Sequence, residues 1–152
     1  MLQILKQKSF LASLIVLFVF GLDVITKNLI SENPNLWRSY FGGILRILPV
    51  RNTGVAFGLF SGINAFFIFF NITLLAFLLY VKRKVKTSFS FYSIHFIIGG
   101  ALGNIYDRIR FGHVIDFIDF KFFPAIFNLA DFFITFGVIL IILDRDRKKG
   151  DV

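Results

Sequence analysis

Hydrophobic runs long enough to cross a lipid bilayer dominate this chain and leave little sequence between them. They lie at about Phe10–Ile30, Ile63–Val81, Ser88–Tyr106 and Phe122–Leu143. A helix rises about 1.5 Å per residue, so runs of roughly 19–22 residues reach about 28–33 Å, enough to cross a hydrocarbon core near 30 Å. Backbone groups find no water there, so a spanning run must satisfy its own hydrogen bonds as a helix. With 57% hydrophobic residues and a mean hydropathy of +0.78, the chain is predicted to be an all-α integral membrane protein with four spanning helices. Residues 1–152 form one unit, because four spans leave no length for a separate soluble domain.

The net charge is +8, and its distribution matters more than its size. Lys6, Lys8, Lys82, Arg83, Lys84, Lys86, Arg145, Arg147, Lys148 and Lys149 lie at the two ends and between the second and third runs. Set against Asp144, Asp146 and Asp151, they carry an excess of seven, leaving one for the rest of the chain. An even number of spans puts these three places on one side. The positive-inside rule makes that side cytoplasmic, with both termini in the cytoplasm. Basic ends beside anionic headgroups require no nucleic-acid partner, and none is expected. The absence of cysteine excludes disulfides, thiolate catalysis, cysteine metal sites and lipid modification of this chain on cysteine. Lys6 and Lys8 before an apolar run resemble a secretory signal, but no small-x-small cleavage site follows while Asp23 and Lys27 do, so an uncleaved span is expected.

Polar residues inside this apolar sequence are the informative ones. Asp23 and Lys27, four apart on one helical face in the favourable order, are either an interfacial ion pair or part of a polar site just inside the bilayer. From about residue 31 to 62 the chain is turn-rich, with Ile44–Leu48 and Val50–Arg51 as short strands and Trp37 and Tyr40 suited to an interface. This reads as a small extracytoplasmic platform. Within it Asn52-Thr53-Gly54-Val55-Ala56-Phe57-Gly58 has the composition of a turn. The second run carries few polar residues and reads as scaffold. In the third, His95 is expected to be a hydrogen-bonded packing residue, and Gly99, Gly100 and Gly103 permit close helix approach. Asn104 and Arg108 share one face at its outer end, and Asp107 is expected to pair with a neighbouring arginine. Asn128 suits a helix N-cap with Asp131 at the third helical position.

Ionisable groups beside lipid-embedded sequence are costly, by about 2.5–3.5 kcal/mol at mid-bilayer on insertion scales, and are functional candidates for that reason. Asp131 opens the apolar run Phe132–Leu143, and Asp116 lies fifteen positions before it. The chain offers no cysteine nucleophile, no serine–histidine arrangement, no His-Glu-x-x-His and no phosphate loop. Carboxylate pairing remains. Two close aspartates share one proton near neutral pH, so one can act as base on water while the other protonates the substrate. Spacing alone does not bring Asp116 and Asp131 together, and paired intramembrane carboxylates also suit a proton- or ion-conducting protein.

Five motifs sharpen this reading. Asp23-x-x-x-Lys27, Asn52-x-Gly54-x-Ala56-Phe57-Gly58, Gly99-Gly100-x-x-Gly103-Asn104-x-x-Asp107-Arg108, Val114-x-Asp116-Phe117 and Phe127-Asn128-x-Ala130-Asp131 occur in the order found in the lipoprotein signal peptidase (signal peptidase II) family. The chain resembles that family over nearly its whole length. The resemblance implies a catalytic dyad of Asp116 and Asp131, supported by Asp23, Lys27, Asn52, Gly54, Asn104, Arg108 and Asn128. It implies four transmembrane helices with a small extracytoplasmic β-cradle and a short surface helix, in the bacterial inner membrane with the active site near the outer face. The implied reaction removes the signal peptide from a diacylglyceryl-modified prolipoprotein, cleaving before the lipidated cysteine, without metal or other cofactor. Asn52 and Arg108 are then candidates to hold the unwound cleavage segment. Two departures stand out: the Asp116–Asp131 interval is short for the family, and Phe132 occupies a position where many members carry a small residue.

Overall fold

The computed structural model describes residues 2–54, 64–85 and 87–150. Four long helices carry most of the chain: α1 (Leu2–Glu32), α2 (Asn64–Val81), α3 (Ser88–Phe111) and α4 (Leu129–Gly150). A three-stranded antiparallel sheet, β1 (Arg38–Tyr40), β2 (Leu45–Asn52) and β3 (Val114–Phe120), has β2 in the middle. The protein is therefore mostly helical with a small sheet rather than purely α.

Local chemistry sets the end of α1 and both ends of α3. α1 stops before Pro34, whose ring disfavours helix in the preceding residue, and the Asn33 side chain donates to the Leu29 carbonyl at 2.8 Å. α3 opens on Thr87, whose hydroxyl oxygen accepts from the Ser90 amide at 3.2 Å, and closes on Gly112 at φ 77°. That left-handed residue suits glycine, which has no Cβ to clash. The third apolar run thus continues five residues beyond Tyr106, to Phe111.

The fourth run is helical over only part of its expected length. Phe122 and Phe123 lie on a turn, and Phe127 bonds to β3 through its backbone: its amide donates to Ile118 at 3.0 Å and its carbonyl accepts from Ile118 at 2.8 Å. A backbone committed to a strand cannot join a helix, so α4 begins at Leu129 under the Asn128 cap. There Asn128 Oδ1 accepts from the Asp131 amide at 2.9 Å, while Asp131 Oδ2 accepts from the Asn128 amide at 3.3 Å. The two residues form a reciprocal capping box.

The expected strands at 44–48 and 50–51 are one strand, β2, with an irregular register between Ile47 and Val50 around Pro49. The platform is also not contiguous. β2 pairs with β3, which lies far along the chain, in the register Val50↔Asp116, Arg51↔Ile115 and Asn52↔Val114. Arg46 and Asp119 form a cross-strand ion pair on it. The short helical turns of this region are the 3-10 segments Pro34–Leu36 and Phe41–Gly43; Ala56, Phe57 and Gly58 of the Asn52 motif lie outside the described residues.

α3 is the central helix and packs against α1, α2 and α4. Its glycines let it approach closely. A Cβ on Gly100 would lie 2.5 Å from the Ala130 carbonyl oxygen, and one on Gly103 would overlap the Asp23 carboxylate. Ile94, Ile97, Ile98 and Leu78 form an apolar cluster beside this contact. Outward, Leu17, Phe18, Phe69 and Phe77 are exposed, an apolar surface that water would not tolerate over such an extent. Among the described residues, two helical stretches, Lys6–Glu32 and Asn64–Val81, are long and apolar enough to cross a membrane.

Candidate active site

Asp116 sits on β3, where strand alternation turns it with Val114 into a cavity of about 530 Å³. Asp131, on the first turn of α4, lines the same cavity, with Asn52 and Gly54 at the end of β2 and Asn104 and Arg108 on α3. Asp116 is only 2% exposed and Asn128 fully buried.

Each carboxylate oxygen of the pair has a donor. Asp116 Oδ2 accepts from Asn52 Nδ2 at 2.7 Å, and its Oδ1 from Asn128 Nδ2 at 2.6 Å. Asp131 Oδ1 accepts from Asn104 Nδ2 at 2.8 Å, and its Oδ2 takes the Asn128 amide described above. Asn128 thus touches both aspartates, and its Nδ2 also reaches Asn104 Oδ1 at 3.2 Å. Lys27 Nζ donates to that same oxygen at 3.1 Å. Two donors on one side of the Asn104 amide leave its NH₂ facing Asp131.

The electrostatics favour a shared proton. Burial, followed by the negative charge of Asp131, pushes the Asp116 carboxyl up to about 7; the Asn52 and Asn128 amides and the Lys27 charge offset part of this. Arg108 brings positive charge to the same space. Its Nη2 donates to the Gly54 carbonyl at 3.1 Å, and its guanidinium lies 4.6 Å from the centre of the Phe67 ring. Its buried Nε and Nη1 have no hydrogen-bond partner among the described residues. No group of three His, Asp or Glu is arranged to hold a metal ion among those residues.

The sequence model of the signal peptidase (SPase) II family matches residues 15–145. The chain belongs to the signal peptidase II family. The lipoprotein signal peptidase of Caldicellulosiruptor bescii is 44% identical over 143 residues, covering 91% of this chain and 92% of that one. The lipoprotein signal peptidase of Staphylococcus aureus (strain Newman) is 39% identical, covering 90% of each chain. Among solved structures, a bacterial membrane enzyme determined by the in meso method at 2.3 Å superposes with a TM-score of 0.82 at 35% identity, over 92% of this chain and 90% of that one. A second, at 1.9 Å, gives 0.76 at 38% identity, over 88% and 90%. The protein is accordingly a bacterial membrane peptidase.

The nine residues picked out by the signal peptidase II motifs meet in one place. Asp116, Asp131, Asn52, Gly54, Asn104 and Arg108 line the cavity; Asp23, Lys27 and Asn128 are buried behind it. Asp107 departs from expectation. Among the described residues it forms no ion pair with an arginine: its Oδ2 lies 3.0 Å from Lys27 Nζ and accepts from the Ile115 amide at 3.1 Å. Its position on α3 turns it inward to α1 and β3, away from Arg110, whose guanidinium engages Tyr106. His95 is the packing residue anticipated, with Nδ1 2.7 Å from the Phe91 carbonyl oxygen. Phe132, the departure from the family pattern, lines the cavity too; Phe120, Phe123, Ile126 and Thr135 also contribute to its wall and were not singled out from sequence. In a chain with 23 phenylalanines, a lining phenylalanine carries no local signal.

Proposed function

We propose that this protein is an intramembrane aspartic endopeptidase that removes the signal peptide from diacylglyceryl-modified prolipoproteins, cutting before the lipidated cysteine. Signal peptide removal from prolipoproteins is the family's role; the aspartic mechanism and the cleavage position are our reading. Its principal support is Asn128, which bonds Asp116 through its side chain and Asp131 through both its side chain and its amide.

In this mechanism Asp116 and Asp131 hold one proton between them near neutral pH. The ionised carboxylate takes a proton from a water whose oxygen attacks the scissile carbonyl carbon. The protonated one donates to the carbonyl oxygen, giving a tetrahedral diol. Return of a proton to the leaving nitrogen breaks the C–N bond. Both ends of the Asn52 amide are engaged, by Asp116 and by the Gly54 amide at 3.0 Å, so Asn52 supports the dyad. The Nε and Nη1 of Arg108, without a partner among the described residues, suit the unwound substrate backbone, since guanidinium offers fixed donors to carbonyl oxygens. Lys27, itself paired with Asp23, holds Asn104 towards Asp131, and Gly54 presents its carbonyl to Arg108.

The apolar wall formed by Phe123, Phe127 and Phe132 suits the acyl chains of a lipidated substrate, and the large Phe132 narrows it. Purified protein in detergent is expected to cleave a diacylglyceryl prolipoprotein at least about tenfold faster than its unlipidated form, because the lipid fixes the depth of the scissile bond. Equal rates would refute that positioning, and no cleavage of either would overturn the function.

Conduction of protons or ions is the rival use of such acids, but a relay needs polar groups at several depths. Here Asp23, Asp107, Asp116 and Asp131 gather around one end of the bundle. We further propose that all four helices span the inner membrane as one domain, both termini cytoplasmic and the sheet and dyad near the outer face. Reporter fusions after Lys86 and after Gly112 are expected to report the cytoplasm and the opposite side respectively; the reverse pattern would move the site to the other face.

A further inference from the structure

We propose that the separation of the two dyad aspartates is set by a second, non-catalytic carboxylate pair, Asp23 and Asp107, clamped by Lys27, which makes Asp107 a positioning residue. The proposal rests on reading Asp116 and Asp131 as the dyad, and it adds how they are held.

The geometry is symmetrical about Lys27. Asp23 Oδ1 accepts from the amide of Ala130, the residue immediately before Asp131, at 2.8 Å. Asp107 Oδ2 accepts from the amide of Ile115, the residue immediately before Asp116, at 3.1 Å. Lys27 Nζ joins the two carboxylates, 2.7 Å from Asp23 Oδ2 and 3.0 Å from Asp107 Oδ2. The same ammonium donates to Asn104 Oδ1 at 3.1 Å, which ties the two carboxylates to the Asp131 partner as well. Each dyad residue is therefore pinned by the backbone amide next to it, and the two pins share one cation. Asp23, Lys27 and Asp107 are each at most 1% exposed, so water does not loosen the assembly. Gly103 is part of the device, because any Cβ there would occupy the place of the Asp23 carboxylate.

A backbone pin acts on geometry rather than on proton affinity alone, and misplacing reacting groups by about 1 Å can cost about 10²-fold in rate. The test is Asp107→Asn, which keeps the shape of the side chain but releases Lys27, and leaves the Asp23–Lys27 pair balanced. With a diacylglyceryl prolipoprotein as substrate, kcat is expected to fall about 10- to 100-fold, with KM and the thermal unfolding midpoint in detergent unchanged. Asp107→Glu keeps the charge but lengthens the arm that holds Ile115, and the same loss of kcat is expected. Full rescue by Glu would mean that charge alone matters and would overturn the clamp. So would an Asp107→Asn protein with normal kcat, or one that fails to fold, since a residue needed only for folding is not positioning the dyad. Asp116→Asn and Asp131→Asn run in parallel keep the two readings apart. If those are inactive while Asp107→Asn is normal, only the clamp fails; if they stay active, the dyad itself fails.

Discussion

Asp116→Asn and Asp131→Asn are each expected to reduce prolipoprotein cleavage by more than about 10⁴-fold, beyond the roughly 10²–10⁴ carried by a single acid–base group, because each carboxylate has a separate proton to move. Neither variant should lose its membrane insertion, since neither residue lies in the middle of an apolar run. At Asp116 the amide would also meet two amide donors already in place, Asn52 Nδ2 and Asn128 Nδ2, so its own NH₂ group has no acceptor on that side. The pH dependence follows from the same geometry. With Asp116 pushed up to about 7, the pair holds its proton at neutral pH and loses it as pH rises above about 7, so cleavage is expected to decline on that side. The sign for stability is the reverse of an ordinary salt-bridged aspartate. A carboxyl raised in the folded protein favours folding below its unfolded value of 3.8, and that advantage is lost as pH rises towards about 7. Substantial cleavage by either variant, measured as released signal peptide, would rule out the dyad.

Lys27→Met is expected to be the most destabilising single change behind the site. It removes the cation shared by Asp23 and Asp107, neither of which reaches solvent. Breaking a buried ion pair from one side costs about 3–5 kcal/mol, because the remaining charge stays buried without compensation. The expected readout is a large drop in the unfolding midpoint in detergent together with loss of cleavage. Adding Asp23→Asn and Asp107→Asn to Lys27→Met should recover most of the midpoint, since a neutral cluster leaves no uncompensated charge. An unchanged midpoint in Lys27→Met alone would show that the cluster does not carry stability. The triple variant separates folding from catalysis, because cleavage should stay low while the fold returns.

How far sequence reading reaches is visible at particular residues. The capping box of Asn128 and Asp131 spans three positions, and the Asp23–Lys27 pair four. Helical geometry alone brings such neighbours together, so both were legible before any tertiary arrangement was known. The stop of α3 was less so: the Gly112 turn supplies it, and the apolar run had suggested an earlier end. The start of α4 was misplaced by seven residues' worth of apolar sequence, because hydrophobicity does not distinguish a helix from the turn and bridge that Phe122–Phe127 adopt. β3 carries no period-two alternation to announce it: in Val114-Ile115-Asp116-Phe117-Ile118-Asp119-Phe120 the two acids are three apart and the first four residues are all buried, so only its pairing with β2 defines it as a strand.

By itself, then, the sequence determined the membrane class, the presence of four long helices and the local caps, since each depends on composition or on contacts within one turn. Its motifs also named nine polar or glycine residues that the fold brings together in and behind one cavity. Only the tertiary structure decided how they act on one another. The Asn52–Asp116 bond joins residues 64 positions apart, and the Asp23–Ala130 bond joins residues 107 apart. Asp107 shows the difference most sharply: its charge suggested a nearby arginine, but the inward turn of α3 gave it Lys27 and the Ile115 amide. Partners at such separations are selected by which helix faces and strand registers can pack together, and no local periodicity encodes that choice.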